Sequence, residues 1–255
     1  AFTGNRFEFR TPGSGLTISR PVFSLNVAVA EVLSVIADEL EQSPDSETAV
    51  RDILAGIVKD NGRILYSADN YSHEWREEAK KRGLVDLKDT IDALSAIEND
   101  KTMALFERQE VLTRGEYGAR MESAYDQYGE TILIEARTAL AIAKRQILPT
   151  AIEYSRTLAD AVSSVTHAGG RVEVHKKELD TVCSLIDKLY DAIGSLESCI
   201  VTTEQKNDPK QRAVTSRDIL IPGMDKIREA ADALEMIVNA ELWPLPTYAD
   251  MVYGR

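Results

Sequence analysis

The sequence predicts a mainly α protein: one N-terminal β-strand, then short helices, then an antiparallel bundle of long helices with two proline kinks. Three observations carry this prediction. Apolar residues recur every three or four positions along most of the chain, which is the period of an amphipathic helix. Breaker clusters such as TPGSG and HAGG separate those stretches. Strand-like alternation of comparable quality occurs only in residues 5–10, NRFEFR.

In an extended strand Arg6, Glu8 and Arg10 share one face, while Phe7 and Phe9 share the other. A lone strand leaves its own backbone groups unpaired, so its sheet is expected upstream of Ala1 or from another chain. After the TPGSG break, Val29, Val32, Leu33, Ile36 and Leu40 fall on one face of a helix of about five turns. Ser43 and Pro44 then read as an N-cap and first helical residue. Ala49, Ile53, Leu54 and Ile57 continue that second helix, and Gly62 ends it.

Ser72 ahead of Glu74, with Lys80, Lys81, Arg82 and Gly83 at the far end, predicts a short helix over residues 72–82 whose charges suit the helix dipole. Two more short helices are expected over 87–97 and 101–109. Thr113 and Glu116 have capping-box spacing, and helix-forming sequence then runs to about residue 165, roughly 75 Å, with Pro149 as a kink. Beyond the GG break, Leu179, Val182, Ile186, Leu189, Ile193, Leu196 and Ile200 form a sustained heptad. Asp208-Pro209 opens a last long helix, kinked at Pro222, with Met224, Ile227, Ala231, Leu234 and Val238 again at the 3.5 period. Short breaks between long helices favour an antiparallel bundle. The prolines of ELWPLPTYAD predict an extended exit.

With 255 residues the chain can build an apolar core without staples. Its 30 basic and 42 acidic side chains give a formal charge of −12, which disfavours nucleic acid or an anionic membrane as the main partner. Cys183 and Cys199, sixteen positions apart on one predicted helix, are too distant to pair, which fits a reducing compartment. No secretory leader is visible, and no apolar run is read as reaching the roughly 18 residues a spanning helix needs. These features point to a cytoplasmic protein. A chain starting with Ala is expected to be processed or cut from something longer.

The strongest chemical candidate is the Arg6/Glu8/Arg10 face. A carboxylate between two guanidiniums stays ionised and suits a divalent cation, and the arginines suit the anionic oxygens of a phosphate or carboxylate. From spacing alone the commoner reading of so short a pattern is a solvated strand with paired surface charges. His73-Glu74 starts an HExxH pattern, but position 77 is Glu77, so the second ligand is lacking. His167 and His175 read as a loop residue and a helix-end residue. The heptads read as internal core, and Trp75, Trp243 and Tyr248 as packing anchors.

Five stretches in order, GNRFEFRTPGSG, LNVAVAEVLSVIADELE, DNYSHEWREEAKKRGLVDLKDTIDAL, AKRQILPTAIEYSRTLA and ELWPLPTYADMVYG, resemble the C-terminal portion of a type III glutamine synthetase. The resemblance implies a ligase that joins ammonia to glutamate through a γ-glutamyl phosphate, with ATP as co-substrate and Mg²⁺ or Mn²⁺ as metal. It also implies a homo-oligomer of stacked rings. By that resemblance Glu8 is a metal ligand, Arg10 a catalytic arginine on substrate and phosphoryl group, and Arg6 an ATP-contacting position where relatives often carry Lys. The implied organisation is the end of the catalytic domain over 1–112, a helical extension over 113–240 and a tail over 241–255. The remaining active-site residues are expected upstream, leaving this piece inactive alone. A non-catalytic helical scaffold or interaction module is the alternative.

Overall fold

In the computed structural model, residues 17–69, 71–246 and 248–254 are described. All regular structure among them is helical, which bears out the mainly α reading. The predicted strand of residues 5–10 lies outside the described residues. The chain divides into two compact units, residues 1–119 and 120–255.

The first unit starts with α1 (Ser19–Glu41) and α2 (Ser46–Asn61). The cap of α2 differs from expectation: Asp45, not Ser43, accepts from the Glu47 N–H at 3.2 Å, and Pro44 lies outside the helix. A carboxylate two residues nearer the first turn displaces the serine, which instead donates to the Asp45 carbonyl. Gly62 ends α2 as expected: it is the C-cap, keeps helical dihedrals and opens a 3₁₀ turn, Gly62–Ile64.

α3 (His73–Lys81) is capped by Ser72, whose hydroxyl accepts from the Trp75 N–H. Gly83 ends it at φ +70, where a side chain would be strained. The N–H groups of Gly83 and Leu84 then reach back to the Lys80 and Ala79 carbonyls. α4 (Thr90–Ile97) and α5 (Asp100–Arg108) start at Asp89 and Asn99, whose side chains accept backbone N–H groups. The Asp89 cap places the start of α4 three residues later than predicted.

Among the described residues of this unit, Val27, Ile91, Leu94, Phe106 and Tyr117 are the buried hydrophobics. Phe106 is its centre, with the Phe23 ring edge-on at 5.9 Å and the Tyr117 ring at 5.3 Å. The predicted apolar face of α1 is mostly open: Val29, Val32 and Leu33 are 55%, 53% and 59% exposed. α1 is also long and apolar enough to cross a membrane by length and composition, contrary to the expectation that no run reaches that size.

α6 (Arg114–Ile142) begins with the predicted capping box: the Glu116 carboxylate accepts from the Thr113 N–H at 2.8 Å, and the Thr113 hydroxyl accepts from the Glu116 N–H at 3.2 Å. The second unit takes up most of this helix. Five residues of π-helix, Ala143–Ile147, lead into α7 (Leu148–His167). α8 (Glu173–Glu204) follows the Gly169-Gly170 break. α9 (Pro209–Thr215) then passes through a second π segment, Ser216–Leu220, into α10 (Ile221–Glu235).

Both π segments end two residues before a proline, Pro149 or Pro222. In each, the residue before the proline bonds five positions back, Leu148 to Ala143 and Ile221 to Ser216. The wide turn absorbs the missing proline N–H and moves the i−4 carbonyl clear of the ring.

Ion pairs set the directions in this unit. Arg137–Glu204 at 2.6 Å and Lys144–Glu197 at 2.5 Å step oppositely along the two chains, so α8 runs antiparallel to α6. Heptad residues Val182, Leu189, Ile193, Leu196 and Ile200 are buried, and face Leu220, Ile227, Ala231, Leu234 and Val238 in one core. Trp243 closes that core as the expected packing anchor. Residues near Pro244 and Pro246 are non-helical, and α11 (Tyr248–Tyr253) follows them.

Candidate functional site

Arg6, Glu8 and Arg10, with Phe7 and Phe9 behind them, all lie outside the described residues. Their geometry therefore enters nothing below. Among the described residues no group of three or more His, Cys, Asp or Glu side chains is placed to hold a metal ion. Cys183 and Cys199 are free thiols. His175 lies in the first turn of α8, as expected of a helix-end residue, while His167, read as a loop residue, is the last residue of α7.

The surface with most to offer is the α1–α2 pair. Val32, Val35 and Ile36 from α1 and Ile53, Gly56 and Ile57 from α2 line a groove of about 480 Å³. Carboxylates rim it: Glu31 and Glu39 on one side, Asp52 and Asp60 on the other. The apolar exposure extends past the groove to Val22, Val29, Leu33, Leu54 and Val58. A soluble surface rarely gathers so many large aliphatic groups on two adjacent helices unless something docks there.

Glu31 anchors α1 to the end of α5. One carboxylate oxygen takes a charge-assisted hydrogen bond from Arg108, and the other accepts from Gln109 Nε2 at 2.9 Å. These two hydrogen bonds, the Arg108 one first, hold the Glu31 carboxyl below its usual range. Glu31 lines the same groove as Val32 and Val35, which remain about half exposed beside the clamp.

Arg82 is a structural residue that sequence reasoning treated only as a helix-end charge. Its Nη1 donates to the Leu65 carbonyl at 2.7 Å and to the Arg63 carbonyl at 3.2 Å, and its Nε pairs with Glu78 at 2.6 Å. That Arg82 bond lowers the Glu78 pKa. The guanidinium also caps a stacked pair, Tyr66 on Trp75, whose centroids are 4.1 Å apart. Only the Glu78 spacing was visible in advance; the carbonyl partners lie seventeen and nineteen positions away.

In the second unit Arg212 does comparable work. It donates to Asp126, Glu130 and the Lys206 carbonyl, fixing α9 beside α6. Gly129 lies against the Ala213 backbone there, where a Cβ would stand in ordinary contact at 3.4 Å. These contacts are architectural, and each satisfies its charges internally.

Residues 49–166 match the family profile described as the glutamine synthetase C-terminal domain. Along its whole length the chain is similar to the type-3 glutamine synthetase of Dictyostelium discoideum, at 31% identity over 264 residues and 36% of that protein. It is likewise similar at 25% identity to the glutamine synthetases of Bacteroides fragilis and Butyrivibrio fibrisolvens, again over all of this chain and 36% and 37% of theirs. The chain spans little more than a third of the length of these relatives. A match along the whole chain, with a domain profile inside it, leads to one conclusion: residues 49–166 match the glutamine synthetase C-terminal domain, and the chain as a whole is similar to a part of type-3 glutamine synthetase.

Proposed function

We propose that this chain works as the C-terminal part of a longer glutamine synthetase that ligates ammonia to glutamate at the expense of ATP, through a γ-glutamyl phosphate, and that it is inactive by itself. One observation carries the reading. The α1 and α2 helices present a broad aliphatic surface with Val27 as the buried residue of α1, as expected of helices built to pack on a larger body. The relatives' names supply the chemistry, and their greater length supplies the missing body.

In this reading the strand of residues 5–10 enters the active site. Glu8 supplies one carboxylate to a Mg²⁺ or Mn²⁺ ion, Arg10 neutralises the transferred phosphoryl group and Arg6 contacts ATP. The described residues do not fit a metal set. Holding the ion therefore falls to Glu8 together with residues beyond this chain. The bound metal would supply charge neutralisation on the phosphates. The arginines supply fixed positive charge where negative charge develops, and the Phe7/Phe9 face would hold them in register. The full protein is proposed to be a cytoplasmic homo-oligomer of stacked rings.

The test is phosphate release that depends on glutamate, ammonia and ATP, measured in the longer protein and in this chain. The longer protein is expected to turn over and this chain is not. Glu8→Ala in the longer protein is expected to lower turnover by about 10²-fold or more, and unchanged turnover would overturn the assignment. Activity in neither protein would favour the second reading, a helical scaffold, which the self-contained core of the second unit supports.

A further inference from the structure

Within the α1–α2 surface, the groove between the two helices has chemistry of its own. Its floor is aliphatic, from Val32, Val35, Ile36, Ile53 and Ile57. Of its four carboxylates, Glu31 is already matched by Arg108 and Gln109. Glu39, Asp52 and Asp60 have no hydrogen-bond or ion-pair partner among the described residues.

Gly56 is a second and independent observation. It sits inside α2, where glycine is the least favourable residue after proline. Nothing lies within 4 Å of where its Cβ would be, so packing inside this unit does not require it. A glycine that faces a groove and has no internal neighbour leaves room for an occupant to approach the helix backbone.

We propose that this groove holds a basic amphipathic segment belonging to the part of the longer protein outside these residues. Its apolar side chains would lie over Gly56 and its lysines or arginines would meet Glu39, Asp52 and Asp60. A second copy of this chain is a poor occupant, because its formal charge of −12 opposes an acidic rim. An anionic membrane is repelled for the same reason. The inference rests on the reading that the chain belongs to a longer protein, and it adds which surface docks and what charge its occupant carries.

Hydrogen exchange on the longer protein tests it, with two variants. Gly56→Leu fills the groove while improving helix propensity, and the triple change Glu39→Lys, Asp52→Lys, Asp60→Lys reverses the rim. In the unaltered protein the α1 and α2 amides are expected to be protected, and each variant should speed their exchange by about tenfold or more. Unprotected amides in the unaltered protein would overturn the inference. So would protection lost only with Gly56→Leu, which would mean an occupant without basic groups. Carbodiimide coupling of mixed light and heavy protein identifies the source. Lysines outside these residues and on the same copy are expected to couple to the rim, and coupling to a second copy of α1–α2 would overturn the assignment. Ligase turnover of the unaltered protein is read separately, so an active enzyme with an empty groove would sink this inference alone.

Discussion

Glu31 shows how one side chain ties two helices together. Both of its oxygens are taken by the end of α5, the helix whose Phe106 also meets Phe23 of α1. Its carboxyl titrates below the usual 4.5. A carboxylate with a folded value below its unfolded one stabilises the fold above the unfolded value, and that contribution fades as pH falls through the folded value. Glu31→Gln is therefore expected to lower the thermal midpoint at neutral pH, with the deficit shrinking below about pH 4.5. A deficit that stays constant between pH 7 and pH 3 would mean that the charge on Glu31 plays no part. Neither Arg108 nor Gln109 was legible as its partner, since they lie 77 and 78 positions away. Local chemistry was easier to read. The Thr113–Glu116 capping box, the Ser72 and Asp208 caps and the Gly83 stop all depend on groups within a few residues of each other. Asp45 was missed because Ser43-Pro44 is an equally good local cap pattern, and a carboxylate two positions on outcompeted it.

Among elements, α8 and α10 approach each other closely at one point. A Cβ on Gly223 would stand 2.9 Å from Leu196 Cδ1, and Leu196 is fully buried. Leu196→Ala is expected to cost about 2–5 kcal/mol through the cavity it leaves. Gly223→Val is expected to cost about 1–3 kcal/mol through overpacking. The double variant should lose clearly less than the sum, because the valine enters the space the leucine vacates. Urea unfolding measures all three, and additive losses would show that the two sites do not share a contact. The heptad pattern foretold that Leu196 faces a core; no pattern announced that a glycine would lie opposite it. The prolines likewise predicted a disturbance at positions 149 and 222, but the structural answer is a π turn just before each. That outcome depends on Ala143, Ile147, Ser216 and Leu220 being buried at the same time as the backbone widens.

For the whole molecule, the two units differ in how much apolar surface they bury for themselves. The second has a continuous core from Leu133 to Trp243, with Leu189, Leu196, Leu220 and Leu234 fully buried. The first buries few of its large aliphatics and leaves most of α1 and α2 open. Residues 113–246 are therefore expected to fold alone, with helical circular dichroism and a cooperative thermal transition. A broad, non-cooperative melt of that piece would show that its core needs the rest of the chain.

Sequence by itself determined that the protein is helical, where most helices start and stop, which heptad residues pack together, and, through five ordered stretches, its likeness to type-3 glutamine synthetase. Those properties reside in periods and caps a few residues long, or in residue identities, and both survive without knowledge of the fold. Tertiary structure alone decided that the best apolar face of α1 is left open, that Arg82 and Arg212 are internal ties, and that a glycine-floored acidic groove lies between α1 and α2. Each of these depends on which distant residues meet, and amphipathic spacing states that a face is apolar without stating what covers it.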